Sequence, residues 1–391
     1  MPALLATDFY YLRNFEFVLE WVGARYDDLL NEQERRFVQH FPTLPERSRA
    51  LLVRLIMRKG DHFRVSRLRY DEIGDIESAA QPLLDLNWLS AEDPIDVSSL
   101  AKLLLKTELA SLDLGVEQAG KLGKQTLIDA LLAGNHAPRP WHAWPGIPTD
   151  NVLSLQISDL CDRLRLLFFG NLAQDWSEFV LTELGLQQYE SVPFPAHSRS
   201  FHQPGDVDQY LYLRRCREEL EAGGDAMTIV DQLSHFTTSN PWIERRHQRL
   251  RFQLGQQLER EQQLEQALAL YLQCSHSEAR QRAIRLHERL EQYEQAYALA
   301  TTAHAAPHTA SEQQLVERAL KRLGRKLQQP EPRPLPEPET KTTQLILPGP
   351  DPQGVELAVA AHLAAPDAPV FYVENALIGS LFGLLCWEAI F

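Results

Sequence analysis

One carboxylate and one run of cations in this 391-residue chain have the residue types and the setting for chemistry. Glu374 follows the apolar stretch Val370 to Val373. It precedes a run carrying Leu377, Ile378, Leu381, Phe382, Leu384, Leu385, Trp387 and Ile390. The pattern predicts a short core strand, an acid at its end and a helix apolar on nearly every face, which must be buried. The end of a core strand is a common address for a reactive group. The cations lie between Arg47 and Arg69, where eight Lys/Arg face a single acid, Asp61. Arg47, Arg54 and Arg58 fall on one face of a helix of period 3.6. Lys59 follows, and Arg64, Arg67 and Arg69 lie on a strand or wing suggested by the Phe63/Val65 alternation. In a chain of net charge −14 this local excess predicts a phosphate-contacting surface. Such a surface binds through counterion release and does not read base sequence. The competing reading of any such run is a solvated face.

A second cationic feature is smaller. Residues 97–114 and 120–132 read as helix, glycine turn and helix, with Lys121 and Lys124 at the start of the second helix. Free backbone N–H groups and the positive dipole end attract anions there. The pair resembles the SAP module, a two-helix DNA-binding motif. His136 and His142, in the Pro/Trp/His-rich stretch 134–149, have no Cys or His partners at metal-binding spacing and predict a structural loop. The four cysteines, Cys161, Cys216, Cys274 and Cys386, match no zinc or redox spacing and read as reduced thiols.

The elements that must position these groups are mostly helical. Residues 8–60 read as three helices. The first has a stripe of Leu12, Phe15, Val18, Leu19 and Val22, the second a cap at Asn31, and the third, about Pro45 to Lys59, an end at Gly60. Helical patterning resumes at Leu153–Leu172 and Asp175–Leu186. From about Asp208 to Leu327 the chain is helical throughout. Residues 259–267 and 288–296 agree at six of nine positions, 29 residues apart. That period predicts a tetratricopeptide-like stack of paired helices. Arg245, Arg246, Arg249 and Arg251 open one of these helices, set either to face nucleic acid or to pair with nearby glutamates. Proline at 330, 332, 334, 336 and 338 predicts a stiff linker. Beyond it come a small strand at Gln344–Leu347, a helix at Gly354–Leu363, and then the strand and helix around Glu374.

The domain reading is therefore an N-terminal helical domain at 1–60 and a SAP-like/winged-helix-like DNA-binding region at 61–200. Helical repeats follow at 201–328, a linker at 329–343 and the start of an α/β domain at 344–391. Gly379 and Gly383 form a G-x-x-x-G. The apolar run there is shorter than the roughly 20 residues a membrane span needs, and Glu388 interrupts it. A buried helix with nothing after it to cover it predicts that these residues are the front part of a longer protein, cut inside its last domain. The N-terminus has neither a positive n-region nor a long apolar core, which points to the cytoplasm or nucleoid.

In this order the pieces resemble the Fanconi-associated nuclease family, in a bacterial form and over essentially the whole chain. The specific blocks are Tyr10-Tyr-Leu-Arg-Asn-Phe-Glu16 and Glu374 with its following Leu381-Phe-Gly-Leu-Leu385. The helix at Leu51–Lys59, the SAP-like unit and the repeats accompany them. The resemblance implies a mainly α multi-domain body leading into a virus-type replication-repair nuclease domain of the restriction-endonuclease-like class. It implies a structure-selective DNA nuclease, a phosphodiesterase of type I, acting on 5′ flaps and branched DNA in interstrand-crosslink repair. Mn²⁺ or Mg²⁺ would be the cofactor, with no small-molecule cofactor. It casts Glu374 as the first metal-binding carboxylate, which suits a hard cation, and His287 as a candidate for a 5′-phosphate pocket. No Glu-x-Lys follows Glu374, so the remaining ligands and the catalytic lysine are expected on a missing segment, and this chain alone is expected not to cut DNA. The rival readings are a protein adaptor built on the repeats and a DNA-structure-binding scaffold without catalysis.

Overall fold

The computed structural model describes residues 9–174, 176, 198–329, 344–347 and 354–390. These divide into two compact units, one ending at Leu250 and one beginning at Arg251. In the first unit, α1 (Tyr10–Tyr26) buries the predicted stripe and adds Tyr11 and Tyr26 to it. Asn31 caps α2 (Glu32–His40) in a reciprocal box. Its side chain accepts from the Glu34 N–H at 2.8 Å, and the Glu34 carboxylate accepts from the Asn31 N–H at 2.7 Å. The third helix, α3 (Glu46–Ile56), is shorter than the sequence predicted. Met57 to Gly60 form a turn that exits with Gly60 at φ +86°, a left-handed conformation that costs glycine nothing.

After α3 come β1 (His62–Arg64), one 3₁₀ turn at Val65–Arg67, α4 (Ile76–Asp85) and β2 (Leu89–Ser90). The chain returns to this sheet at β3 (Val152–Leu155), the central strand, antiparallel to both neighbours. His62 pairs with Ser154, Arg64 with Val152, and Leu89 with Leu155. The sequence predicted helix from Leu153, but α8 (Ser158–Phe169) begins only after this strand. All four residues of β3 are buried. A central strand covered on both faces reads as an apolar run and lacks the alternation that marks a half-exposed strand. A single core joins α1–α4, the sheet, α8 and residues as far as Tyr210, so it crosses the expected boundary at residue 60.

Between β2 and β3 lies a second, smaller core. Where one helix was expected up to Leu114, α5 (Val97–Leu103) and α6 (Lys106–Ala110) are separated by Leu104 and Leu105, both extended. With α7 (Lys124–Ala133) they bury Leu100, Leu109, Leu127 and Leu131 against Trp141 and Trp144 of the following loop. The unit closes with α9 (Pro204–Glu221), α10 (Ala226–Leu233) and the first part of α11 (Pro241–Arg260).

The second unit continues α11 with α12 (Leu264–Leu272), α13 (Ala279–Arg289), α14 (Tyr293–Ala305) and α15 (Ala310–Leu327). The 29-residue repeat is visible in its turns. Gln262 and Glu291 both adopt left-handed φ, +63° and +59°. The Gln263 N–H then donates to Leu258 O at 2.9 Å, and the Gln292 N–H to His287 O at 2.8 Å. Further on are α16 (Val355–Leu363), α17 (Leu377–Leu385) and α18 (Trp387–Ile390). Two expected strands are not formed among the described residues: neither 344–347 nor 370–373 pairs with another strand. The expected burial of the apolar helix is also not met, since Ile378 is 83% and Leu385 84% exposed. The proline-rich linker beyond Gln329 lies outside the described residues, as does all of Asp175–Leu186 except Trp176.

Candidate nucleic-acid interface

The cations of residues 47–69 separate into two groups once their partners are visible, and Arg49, paired with Glu16, belongs to the first. Arg64 sits on β1 with its side chain only 8% exposed. Its Nε donates to Asp150 at 2.7 Å, and its Nη1 donates to both oxygens of Glu108 at 2.8 and 2.7 Å. Burial alone would pull its pKa down, but the two carboxylates outweigh that and raise it. Burial likewise works against both acids, yet Arg64 and neighbouring N–H and hydroxyl donors hold them below the usual carboxylate range. Arg64 therefore ties the sheet to α6 and is not a surface phosphate contact, which corrects the sequence reading. Arg54 is similar. Its guanidinium lies 3.9 Å from the centre of the Tyr11 ring and donates to Glu72 Oε1 at 3.0 Å (Nε) and 2.5 Å (Nη2). Tyr11 donates its hydroxyl to the same oxygen at 3.0 Å. Burial first, then the charge on Glu72, pushes the Tyr11 hydroxyl upward against the opposing effect of Arg54.

The second group is exposed: Arg47, Arg58, Lys59, Arg67 and Arg69. Arg58 donates to the Tyr70 hydroxyl at 2.9 Å, and Arg67 lies 3.7 Å from Glu108 at the edge of the Arg64 cluster. These groups remain available to an anion, because neither contact removes its cation from water. In the smaller core, Lys121 is exposed in a 3₁₀ turn before α7, and Lys124 is the first residue of that helix. Lys124 is exposed as well, although its Nζ donates to Leu104 O at 3.1 Å and so caps the end of α5. His142 faces Glu92 at 3.4 Å, and the stretch is a structural loop around Trp141 and Trp144.

Sequence reasoning left one basic cluster undecided. Among the described residues, Arg245, Arg246, Arg249 and Arg251 form no ion pairs with the nearby glutamates. Arg246 instead stacks on Trp242 at 3.9 Å and Tyr210 at 4.8 Å, two rings that are themselves stacked. The adjacency of Trp242 in sequence was the available signal.

The remaining candidates lie in the second unit. His287 is buried and its Nδ1 is 2.7 Å from Gln292 Oε1. It occupies the repeat position held 29 residues earlier by the fully buried Leu258. That is an interior place, not an open phosphate pocket, and it corrects the reading of His287. Glu374 is exposed and accepts the Tyr372 hydroxyl at 2.6 Å. Mn²⁺ or Mg²⁺ wants roughly six oxygen ligands. No cluster of three or more His, Cys, Asp or Glu side chains able to hold a metal occurs among the described residues. The residues described around Glu374 thus do not fit a metal site on their own.

Comparison with known proteins gives the class. Residues 9–90 match the family profile described as "FAN1, HTH domain", and residues 94–144 match the "Fanconi anemia-associated nuclease SAP domain". This is a helix-turn-helix plus SAP body of the kind carried by a nuclease family. A relative named Fanconi-associated nuclease 1 homolog, from Pseudomonas aeruginosa, is 46% identical over all 391 residues, which span 70% of its length. A rice relative of the same name is 30% identical over 220 residues, 22% of its length. A crystal structure of paFAN1 bound to DNA with a 2-nucleotide 5′ flap and a gap superposes with a TM-score of 0.86. It is 46% identical and covers 100% of this chain and 71% of its own. A second, with a 1-nucleotide flap, gives a TM-score of 0.82 at 45% identity, with 98% of this chain and 71% of its own covered. The chain belongs to the Fanconi-associated nuclease 1 family. Among the described residues no helix is long and apolar enough to cross a membrane.

Proposed function

We propose that this chain holds branched duplex DNA bearing a 5′ flap, as the DNA-gripping part of a structure-selective nuclease of interstrand-crosslink repair. The observation that carries the reading is how the cations of residues 47–69 divide. Five cations there, Arg47, Arg58, Lys59, Arg67 and Arg69, stay exposed while their neighbours Arg54 and Arg64 are committed to acids within the fold. Lys121 and Lys124 of the SAP-like unit extend the grip. The likeness to two flap-bound crystal structures supports the choice of ligand. Selection then rests on duplex shape and a free end, because phosphate contacts carry no base information. The chemistry assigned is phosphodiester hydrolysis of the phosphodiesterase I type with Mn²⁺ or Mg²⁺, in the cytoplasm beside the nucleoid. Glu374 is assigned one oxygen ligand of the metal site.

The test is fluorescence anisotropy with labelled 5′-flap DNA over a salt series. Each phosphate contact contributes a slope of about −0.9 in log K against log salt. Replacing Arg67 and Arg69 together by alanine should flatten the slope by roughly 2 and leave the melting temperature unchanged. An unchanged slope removes this surface from the interface. Mn²⁺-dependent cleavage that is present in the parent and survives Glu374→Ala removes Glu374 from the metal site.

A further inference from the structure

The second unit carries a cleft of about 550 Å³ lined by α13 and α15. Its base is apolar. Ile284 and Val316 are buried there, and Leu315 stands 43% exposed at its edge. Five arginines line it against two glutamates, Glu278 and Glu288. Three of the five are committed. Arg282 and Arg289 share Glu259 at 2.9 and 3.2 Å, and Arg322 grips Glu288 through Nε and Nη2 at 2.9 and 2.8 Å. The other two, Arg285 and Arg318, are exposed and have no hydrogen bond or ion pair among the described residues.

We propose that this cleft docks an acidic amphipathic peptide segment of a partner protein. Its apolar side chains would pack on Leu315 and the base, and its carboxylates would pair with Arg285 and Arg318. Two features favour a peptide over nucleic acid. A sugar-phosphate backbone gains nothing from an apolar base, whereas a helix laid in a groove uses apolar anchors at i, i+3 and i+7. A slot between packed helices, whose axes lie roughly 8–10 Å apart, takes a row of side chains and not a duplex. The Arg322–Glu288 fork shows the pairing this rim already makes with a carboxylate, and two arginines remain to repeat it. The inference does not depend on the DNA-holding role of the first unit.

The probe is a fluorescein-labelled helical peptide of about 16 residues, with leucine at i, i+3 and i+7 and Asp/Glu on its flanks. It is titrated into the full chain by anisotropy beside labelled 5′-flap DNA. The expected result is peptide binding that weakens about tenfold or more in Arg285→Glu/Arg318→Glu. Leu315→Gln should weaken it too, with flap-DNA affinity and melting temperature unchanged in both variants. Three results overturn the proposal: no peptide binding by the parent chain, equal binding of a peptide whose acids are replaced by lysine, or loss of flap-DNA affinity in the charge-reversed variant while peptide binding persists.

Discussion

Replacing Arg64 by methionine keeps most of its volume and removes its charge. Asp150 and Glu108 are then left beside the sheet without their main counter-charge. Asp150 keeps the Ser66 N–H at 3.2 Å, the Ser66 hydroxyl at 2.5 Å and the Asn151 N–H at 2.9 Å. Glu108 keeps the Leu105 N–H at 2.7 Å and Arg67 at 3.7 Å. Breaking a buried pair costs roughly 3–5 kcal/mol, and these surviving donors set the cost here at the low end, about 3 kcal/mol. At ~2–4 °C per kcal/mol for a domain of this size, the melting temperature should fall by roughly 6–12 °C. The pH dependence has a definite sign. Both acids have depressed pKa values in the fold, so the pairing stabilises fully above their unfolded values, near 4, and fades as pH falls through the folded ones. The gap between parent and variant in circular-dichroism melts should therefore be widest near neutrality and close in acid. Flap-DNA affinity, measured below both melting temperatures, should be unchanged. A variant that melts within about 2 °C of the parent at pH 7, or that loses DNA affinity without losing stability, would refute the structural role of Arg64.

Three other perturbations probe the frame. Asn31→Ala removes one side of the capping box and should cost about 1 kcal/mol in urea denaturation, with binding of flap DNA intact. Gln262→Gly and Glu291→Gly place glycine where both turns already take left-handed φ. Each should hold stability within about 1 kcal/mol of the parent, whereas valine at either site should lower it in thermal melts. His287→Leu installs the residue found at the equivalent repeat position. It should leave the melting temperature nearly unchanged and should not alter discrimination between flaps with and without a 5′ phosphate.

Much of the helical frame was legible because it obeys local rules. The α1 stripe, the Asn31 cap and the 29-residue repeat are each written within a few turns of chain. The errors in the cationic run and at β3 share a cause, which is dependence on residues distant in sequence. Arg64 and Arg67 look alike in the sequence. They differ because Glu108 and Asp150, 44 and 86 residues further on, converge on one of them. Arg54 is decided in the same way by Glu72 and Tyr11. Strand β3 was read as helix because its flanking strands, which make it central, lie more than 60 residues upstream. His287 carries a polar ring at a position that the repeat fills with leucine, so its chemistry suggested a site where its place in the stack gives an interior contact.

The three-stranded sheet also sets how the SAP-like unit is hung. The chain leaves at Ser90 and re-enters at Val152, and Ser90 pairs directly with Ser154. The helices between are an excursion whose two ends are fastened to neighbouring strands. A module on a single tether can swivel through a wide cone, but one anchored at two adjoining points can only tilt over a small arc. A long duplex held by both basic surfaces would then meet a preset angle between them, and a bend or a break in that duplex would be sensed as a better or worse fit to a nearly rigid cradle.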